Sequence, residues 1–286
     1  MSLTKPNIAV FAPPGSGKTY ALLSLVKDES LAGRVLLINA DGKSLPWFGH
    51  SNFASVKLDC PTQLPEMIRQ ASAQTMPDGT PRFKYIIVDT ITRVMETYVS
   101  RYIGSSQPKY VYDASGNLLT NMNYVSVTKA GTVDSLAGWG RGAALFRDIM
   151  GAGDISEAQM IYTSHMTLTQ APDNTYTYEA PIQGSIGKTG LSAWFSITVV
   201  ARCVPMEDIM NEPDSPLLTK TESRKGSGTK FVFQIEKTKD TQAYPIRNID
   251  GMFPQSMTYI NNDYKALFEH LDKLYAGQET GLEHLD

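Results

Sequence analysis

A glycine-rich segment near the amino terminus, APPGSGKT at Ala12–Thr19, has the residue spacing of a loop that encloses a polyphosphate. Such a loop turns successive backbone N–H groups toward the phosphates, and Gly15 and Gly17 supply the backbone conformations that this curvature needs. Lys18 can reach the β- and γ-phosphates, and the hydroxyl of Thr19 can bind Mg²⁺. A chance glycine-rich turn is the weaker interpretation, because the segment separates a predicted strand from a predicted helix. The predicted contacts to ATP with Mg²⁺ are Pro13, Pro14, Gly15, Ser16, Gly17, Lys18, Thr19 and Tyr20.

Two carboxylates follow apolar runs that predict buried strands. Asp89 ends the run Tyr85–Val88, where a carboxylate can hold the Mg²⁺ shell. An Asp after a strand is also a common helix N-cap, and Thr90 could fill that role too. Asp41 follows the run Val35–Ile38 and could orient or deprotonate an attacking water, with a simple turn residue as its alternative. Both are candidate catalytic residues, and Asp89 is the second predicted metal ligand beside the loop threonine.

Short apolar runs alternate with amphipathic segments and predict an α/β fold with a mainly parallel central sheet flanked by helices. The predicted strands are Asn7–Phe11, Val35–Ile38, Ala54–Leu58, Tyr85–Val88, Gln159–Ser164, Phe195–Arg202 and Lys230–Glu236. The predicted helices are Lys18–Lys27, Thr62–Ala73, Ile91–Ile103, Leu136–Met150 and Tyr264–Tyr275. A β-hairpin insertion is predicted over Thr167–Pro181.

A single domain is predicted over residues 1–276, because no internal repeat or linker interrupts the alternating pattern. Residues 105–134, rich in Tyr, Asn, Ser and Gly, predict an inserted loop or hairpin. Residues 211–228 are polar and rich in Gly and Ser, which predicts a mobile loop. An acidic tail is expected over residues 277–286.

Composition says more about the cellular compartment of the protein than about its activity. The net charge of −3 gives no basic excess, so any DNA contact needs a local patch. Cys60 and Cys203 lie far apart, which argues against a zinc site and fits a reducing compartment. The amino terminus runs directly into a predicted strand, so no signal peptide is expected. The longest apolar run, Ala193–Val200, is too short to span a bilayer. We therefore expect a soluble cytoplasmic protein with no membrane partner.

Together these motifs resemble the RecA-type recombinase core, particularly the compact RecA-like ATPases of bacteriophages that anneal single-stranded DNA. The resemblance follows element order over roughly residues 7–250 and rests on short motifs. INAD resembles the family motif whose acid activates water, which implies that role for Asp41 with Asp in place of Glu. IIVDT resembles the Walker B strand at Asp89, and IYTSH offers His165 as the sensor of the γ-phosphate. A hydrogen-bonded histidine at a strand end is the alternative.

Two later segments extend the resemblance. Gly184–Arg202 resembles the passage that holds a DNA-binding loop, a helix and a strand, and it implies that Lys188 lies in the loop. EKTKD resembles the paired lysines that RecA-type proteins insert across a subunit interface. Lys237 and Lys239 would then alternate along one strand face and stabilise the transition state on a neighbour, as an arginine finger does. A solvated basic strand edge is the alternative.

The resemblance implies an ATP-dependent single-stranded-DNA-binding protein, a homo-oligomeric ring or filament that promotes annealing or strand exchange. The main alternative is an AAA-type ATPase that acts as a helicase loader or remodelling motor. Such proteins usually place a Glu after the Walker B Asp, where this chain has Thr90. A small-molecule kinase would need an arginine-rich lid, and none is evident, although residues 211–228, with Arg224 and Lys225, could be such a lid misread as a loop. A structural role with a degenerate nucleotide site is the remaining option.

Overall fold

A computed structural model describes residues 6–43, 54–103, 135–170, 174, 176–249, 251–254 and 256–276. The strands are β1 (Ile8–Ala12), β2 (Val35–Asn39), β3 (Ala54–Lys57), β4 (Tyr85–Asp89), β5 (Gln159–His165), β6 (Thr167–Gln170), β7 (Tyr176–Glu179), β8 (Ile197–Pro205), β9 (Thr229–Gln234) and β10 (Tyr259–Asn261). The α-helices are α1 (Leu23–Val26), α2 (Leu64–Ser72), α3 (Ile91–Tyr102), α4 (Ser135–Asp154), α5 (Ser185–Thr189), α6 (Met206–Met210) and α7 (Tyr264–Tyr275). The predicted insertion at 105–134 and the tail at 277–286 lie outside the described residues.

One eight-stranded sheet has the order β10-β9-β8-β1-β5-β4-β2-β3. From β8 to β3 in that order, neighbouring strands are parallel. β9 runs antiparallel to β8, and β10 runs antiparallel to β9. Every residue of β1, β2 and β4 is buried, which explains why β1 is apolar throughout and why β2 and β4 are apolar up to their last residues, Asn39 and Asp89. The predicted α/β fold with a mainly parallel sheet is confirmed.

Helices cover both faces of this sheet. Side chains of α2, α3 and α4 form one hydrophobic core with one set of strand residues, and α1 and α7 contribute to a second core. The predicted hairpin is present as β6 paired with β7 in a separate antiparallel ribbon. No helix in the described part of the chain is long and apolar enough to cross a membrane.

Strand order determines which residues can meet at the carboxyl edge of the sheet. β5 lies between β1 and β4, so it separates the strand before the glycine-rich loop from the strand that ends at Asp89. The register pairs Ala12 with His165, and Asn39 with Asp89. Because these strands are parallel, the segments that follow them leave the sheet on the same side.

Three predictions of local structure are wrong. The expected helix Lys18–Lys27 is a 3-10 turn at Tyr20–Leu22 followed by the single-turn helix α1, because the glycine-rich loop is still curving at its lysine. Lys188 lies on α5 and not in a loop.

Lys237 and Lys239 do not alternate along a strand, since β9 ends at Gln234. Instead, Thr238 caps a 3-10 turn at Lys239–Thr241, and its side chain and that of Thr241 bond to each other's backbone N–H groups. Residues 211–228, predicted to be mobile, form turns in which Leu217 and Leu218 are buried. That arrangement does not test their mobility.

Packing between α3 and α4 depends on a glycine. The ring of Tyr98 is fully buried and its hydroxyl donates to the carbonyl of Gly138 at 3.0 Å. A Cβ at Gly142 would lie 2.8 Å from Cε1 of that ring, whereas a Cβ at Gly140 on the same helix would meet nothing within 4 Å. Gly140 therefore serves as a matched control for a substitution at Gly142, because both lie on α4 and only Gly142 contacts the ring of Tyr98.

We expect Gly142→Ala to lower the free energy of unfolding by about 1–3 kcal/mol through overpacking. Gly140→Ala should raise it by roughly 0.5–1 kcal/mol, because alanine loses less conformational freedom in a helix. Urea unfolding monitored by circular dichroism measures both values. Equal effects of the two substitutions would contradict the close contact between the helices.

Candidate functional site

The glycine-rich loop leaves β1 at Ala12 and curves through two glycines in left-handed conformations. Gly15 has φ +76° and Gly17 has φ +90°, a region that side chains with a Cβ resist. The hydroxyl of Ser16 donates to the carbonyl of Pro13 at 2.7 Å and closes the turn. Gly17 is required a second time by packing, because a Cβ there would lie 2.7 Å from the ring of Phe231. The loop thus has the curvature that the sequence predicts.

Lys18 forms a buried ion pair with Asp89. Their exposures are 7% and 4%, and the ammonium contacts Oδ1 of the carboxylate. Thr163, on the intervening strand β5, donates its hydroxyl to the same oxygen at 2.5 Å. The helix-cap role falls to Thr90, whose hydroxyl accepts the N–H of Arg93 at 3.1 Å. The side chain of Asp89 is therefore directed at the loop lysine and does not cap α3.

Asp41 lies beside this pair. Its backbone N–H donates to the carbonyl of Asp89 at 3.0 Å, so the two segments are joined directly. Lys43 places its ammonium 2.5 Å from Oδ2 of Asp41, and the imidazole Nε2 of His165 lies 3.9 Å from Oδ1. Asn39 shapes this turn by accepting the N–H of Gly42 at 2.9 Å and donating to the carbonyl of Lys43 at 2.8 Å.

Neighbouring side chains keep Asp41 ionised. The imidazole of His165 holds the pKa of this carboxyl well below its ordinary value, and the ammonium groups of Lys43 and Lys18 act in the same direction. Partial burial raises the pKa but does not offset them. A carboxylate with a depressed pKa is a weak proton acceptor. Asp41 is therefore better suited to orienting a water or a cation than to removing a proton.

His165 is held by its backbone and presents its side chain to the site. Its N–H donates to the hydroxyl of Thr92 at 3.0 Å, and that hydroxyl lies 2.7 Å from the hydroxyl of Ser164. The start of α3 is thus connected to the end of β5. The imidazole lines the cleft and approaches Asp41. A role for this histidine in sensing the γ-phosphate stays a prediction.

A cleft of about 340 Å³ lies over the loop, and Lys43, His165, Arg224 and Phe231 complete its walls. Its cationic lining suits a polyphosphate. Within the described ranges no group of three or more His, Cys, Asp or Glu side chains could hold a metal ion. Mg²⁺ is instead commonly bound by one or two protein oxygens together with phosphate oxygens. The hydroxyl of Thr19, which makes no cap hydrogen bond, and the carboxylate of Asp89 fit that donor set.

The remaining sequence-predicted residues lie apart from this cleft. Lys237 and Lys239 are exposed, and neither lines the cleft of its own chain. Sequence reasoning missed Thr163, Lys43 and Phe231 as site residues. The first two carried a signal, since Thr163 alternates with His165 on one strand and Lys43 is two residues from Asp41.

Comparison with known families adds independent information. A family model described as an AAA domain matches residues 4–243, which include every residue placed around the cleft. No curated protein shows significant similarity to the chain.

Acid should remove the contribution of Asp41 to stability. The folded pKa is lowered, so the unfolded chain binds more protons as the pH falls below the ordinary aspartate value of about 4. We expect Asp41→Asn to be less stable than wild type at pH 7, with a difference that narrows below about pH 4. Urea unfolding across this pH range measures the difference.

The control for this experiment is Asp59→Asn, which removes a largely exposed carboxylate that forms an ion pair with exposed Lys57. We expect that substitution to change stability little, because exposed ion pairs contribute little. A stability difference for Asp41→Asn that stays constant from neutral to acid pH would contradict a charge-based role.

Proposed function

The chain belongs to the AAA-domain family, and from that premise we propose that it hydrolyses ATP in the cleft over β1 and uses the nucleotide to control binding of single-stranded DNA. The family and the mainly parallel sheet fit a P-loop NTPase, and an AAA-family P-loop domain suggests a nucleotide-hydrolysing ATPase. The observation that carries the catalytic part is the convergence of Lys18, Asp89 and Asp41 at one edge of the sheet.

Each residue has a task in this proposal. Backbone N–H groups of Gly15–Lys18 bind the phosphates, and Lys18 exchanges the Asp89 carboxylate for β- and γ-phosphate oxygens. Thr19 and Asp89 would hold Mg²⁺, which when bound neutralises charge on those oxygens. Asp41, ionised and fixed by its neighbours, orients the attacking water by accepting its hydrogen bond.

His165 connects the nucleotide site to the β6–β7 hairpin. β5 ends at His165, the N–H of Met166 donates to the carbonyl of Ala12 at 3.3 Å, and β6 begins at Thr167. A shift of the imidazole on phosphate binding or release would therefore act directly on the base of the hairpin. This connection supports coupling between ATP and a ligand held by the hairpin.

The hairpin offers side chains suited to single-stranded bases. On the two strands of this ribbon, Leu168 of β6 is 52% exposed and Tyr176 of β7 is 55% exposed. Unpaired bases stack on exposed aromatic rings, whereas bases in a duplex are already stacked on each other. We propose the hairpin as the single-stranded-DNA contact, and annealing or strand exchange as the reaction it serves.

Assembly of several subunits completes the proposal. Lys237 and Lys239 are exposed beyond the end of β9, where a neighbouring chain can be reached. In a homo-oligomeric ring or filament they would bring positive charge to the triphosphate of the adjacent subunit. The EKTKD sequence and the exposure of both lysines support this role.

A second candidate is an AAA-type helicase loader or remodelling motor, which the description of the matching family favours. Thr90 argues against it, because the position after Asp89 carries a helix cap where such motors usually have a Glu. ATP turnover measured with and without single-stranded DNA separates the two. Stimulation by DNA favours the first candidate, and indifference to DNA favours the second.

Lys18→Ala should reduce ATP turnover at least about 100-fold, because it removes the positive charge that would bind the β- and γ-phosphates. The substitution also leaves Asp89 buried without its partner, so circular dichroism must first show that the variant is folded. Lys18→Arg retains a cation for Asp89 but replaces the compact ammonium with a wide planar group, and it should be inactive as well. Lys27→Ala, at an exposed position after α1, is the control. Wild-type turnover by a folded Lys18→Ala variant would contradict the site.

Tyr176→Ala should weaken binding of a fluorescein-labelled oligothymidylate by roughly 10-fold in the presence of ATP and Mg²⁺, because one stacking contact is lost. Tyr176→Phe keeps the ring and should bind like wild type. Fluorescence anisotropy at about 50 and 200 mM salt should also show weaker binding at the higher concentration. Wild-type affinity of Tyr176→Ala would exclude the hairpin as the contact. Failure of the wild-type protein to bind at either salt concentration would exclude the DNA proposal.

A further inference from the structure

The β8–β9 ladder extends past the carboxyl end of β1. Phe11 is level with Val200 on β8, but β8 continues to Pro205 and remains paired with β9. This extension carries Phe231, the partner of Cys203, to one side of the glycine-rich loop. The ring of Phe231 lies so close to Gly17 that it forms part of the cleft wall.

The turn before Phe231 is built by its own hydrogen bonds. The carboxylate of Glu222 accepts the N–H groups of Gly226 and Gly228 at 2.5 and 2.9 Å. The hydroxyl of Ser223 accepts the N–H of Phe231 at 2.8 Å, which ties the turn to β9. These bonds fix the backbone on both sides of Arg224.

Two planar side chains lie against Phe231. The ring centroids of Tyr20 and Phe231 are 5.1 Å apart, and the guanidinium carbon of Arg224 is 5.5 Å from the centroid of Phe231. The hydroxyl of Tyr20 also donates to the carbonyl of Ser223 at 3.4 Å. Tyr20 is 38% exposed, Arg224 is exposed, and both line the cleft. Each therefore presents a surface to whatever occupies it.

Strand order gives the cleft a direction. β5 and β4 lie on one side of β1, whereas β8 and β9 lie on the other. Lys18 faces Asp89 of β4, and His165 and Asp41 are on that same side. A lysine at this position of the loop serves the β- and γ-phosphates. The γ-phosphate end of a bound nucleotide would therefore face β5, and its nucleoside end would face β9.

We infer that Tyr20 and Arg224 form the nucleoside-binding wall of the cleft and stack on the base of ATP, with Phe231 packed beneath them. The inference rests on the proposed ATP site and adds the residues that hold the other half of the ligand. A guanidinium plane and a phenol ring both stack on a purine, and stacking needs no particular hydrogen-bonding edge. Neither residue contributes to the γ-phosphate chemistry.

Calorimetric titration with two probes tests this inference: ATP with Mg²⁺, and inorganic tripolyphosphate with Mg²⁺, which lacks a nucleoside. Arg224→Ala and Tyr20→Ala should each weaken ATP binding by about 3- to 30-fold while leaving tripolyphosphate affinity within about 2-fold of wild type. Arg224→Lys should behave like Arg224→Ala, because an ammonium keeps the charge but not the plane. Tyr20→Phe should retain ATP affinity. Lys225→Ala, an exposed neighbour that does not line the cleft, is the control for charge.

Four results would overturn the inference. Equal losses for both probes, with rescue by Arg224→Lys, would assign Arg224 to the phosphates. If both alanine variants bound ATP with wild-type affinity, Tyr20 and Arg224 would be excluded as the nucleoside-binding wall. If the wild-type protein bound ATP and tripolyphosphate with equal affinity, the nucleoside would make no contact with the cleft, although the phosphate site would stand. Failure of the wild-type protein to bind either probe would refute the ATPase proposal and this inference with it.

Discussion

The buried ion pair between Lys18 and Asp89 is the interaction on which the rest of the site depends. Two charges removed from water are costly unless each has a partner of opposite sign. Here the ammonium and the carboxylate satisfy each other, and Thr163 adds a hydrogen bond to the same oxygen. A triphosphate with Mg²⁺ offers both groups replacement partners, phosphate for the lysine and metal for the aspartate. In the proposed function, charge compensation would therefore persist when the nucleotide binds, without exposing either side chain to water.

The parts of this architecture that depend on local chemistry could be predicted from the sequence. The glycine-rich loop depends on residues close together in the chain, and the apolar runs before Asp41 and Asp89 mark strands that are buried on both faces. Because parallel strands end on one side of a sheet, residues that follow them can come together. The structure does bring Asp41, Asp89 and Lys18 together, whereas their catalytic roles remain predictions.

The parts that depend on strand order or on side-chain capping could not be predicted. Thr163 reaches Asp89 only because β5 lies between β1 and β4, and periodicity does not reveal which strands are neighbours. Phe231 meets the loop for a similar reason. The strand expected at Lys237 and Lys239 does not form, because the hydroxyl of Thr238 begins a new turn in a segment whose alternation otherwise suits a strand. β10 has only three residues, too few for a periodic pattern.

Substitution is restricted more strongly at Gly17 than at Phe231, although the two residues lie close together. A smaller side chain at position 231 would relieve the close approach, but the φ of +90° at Gly17 would still disfavour any residue with a Cβ. Substitutions can therefore accumulate on the aromatic side of the cleft more readily than at Gly17 of the glycine-rich loop. Descendants of one ancestor could thus diverge in the nucleotide they prefer and still share the same loop.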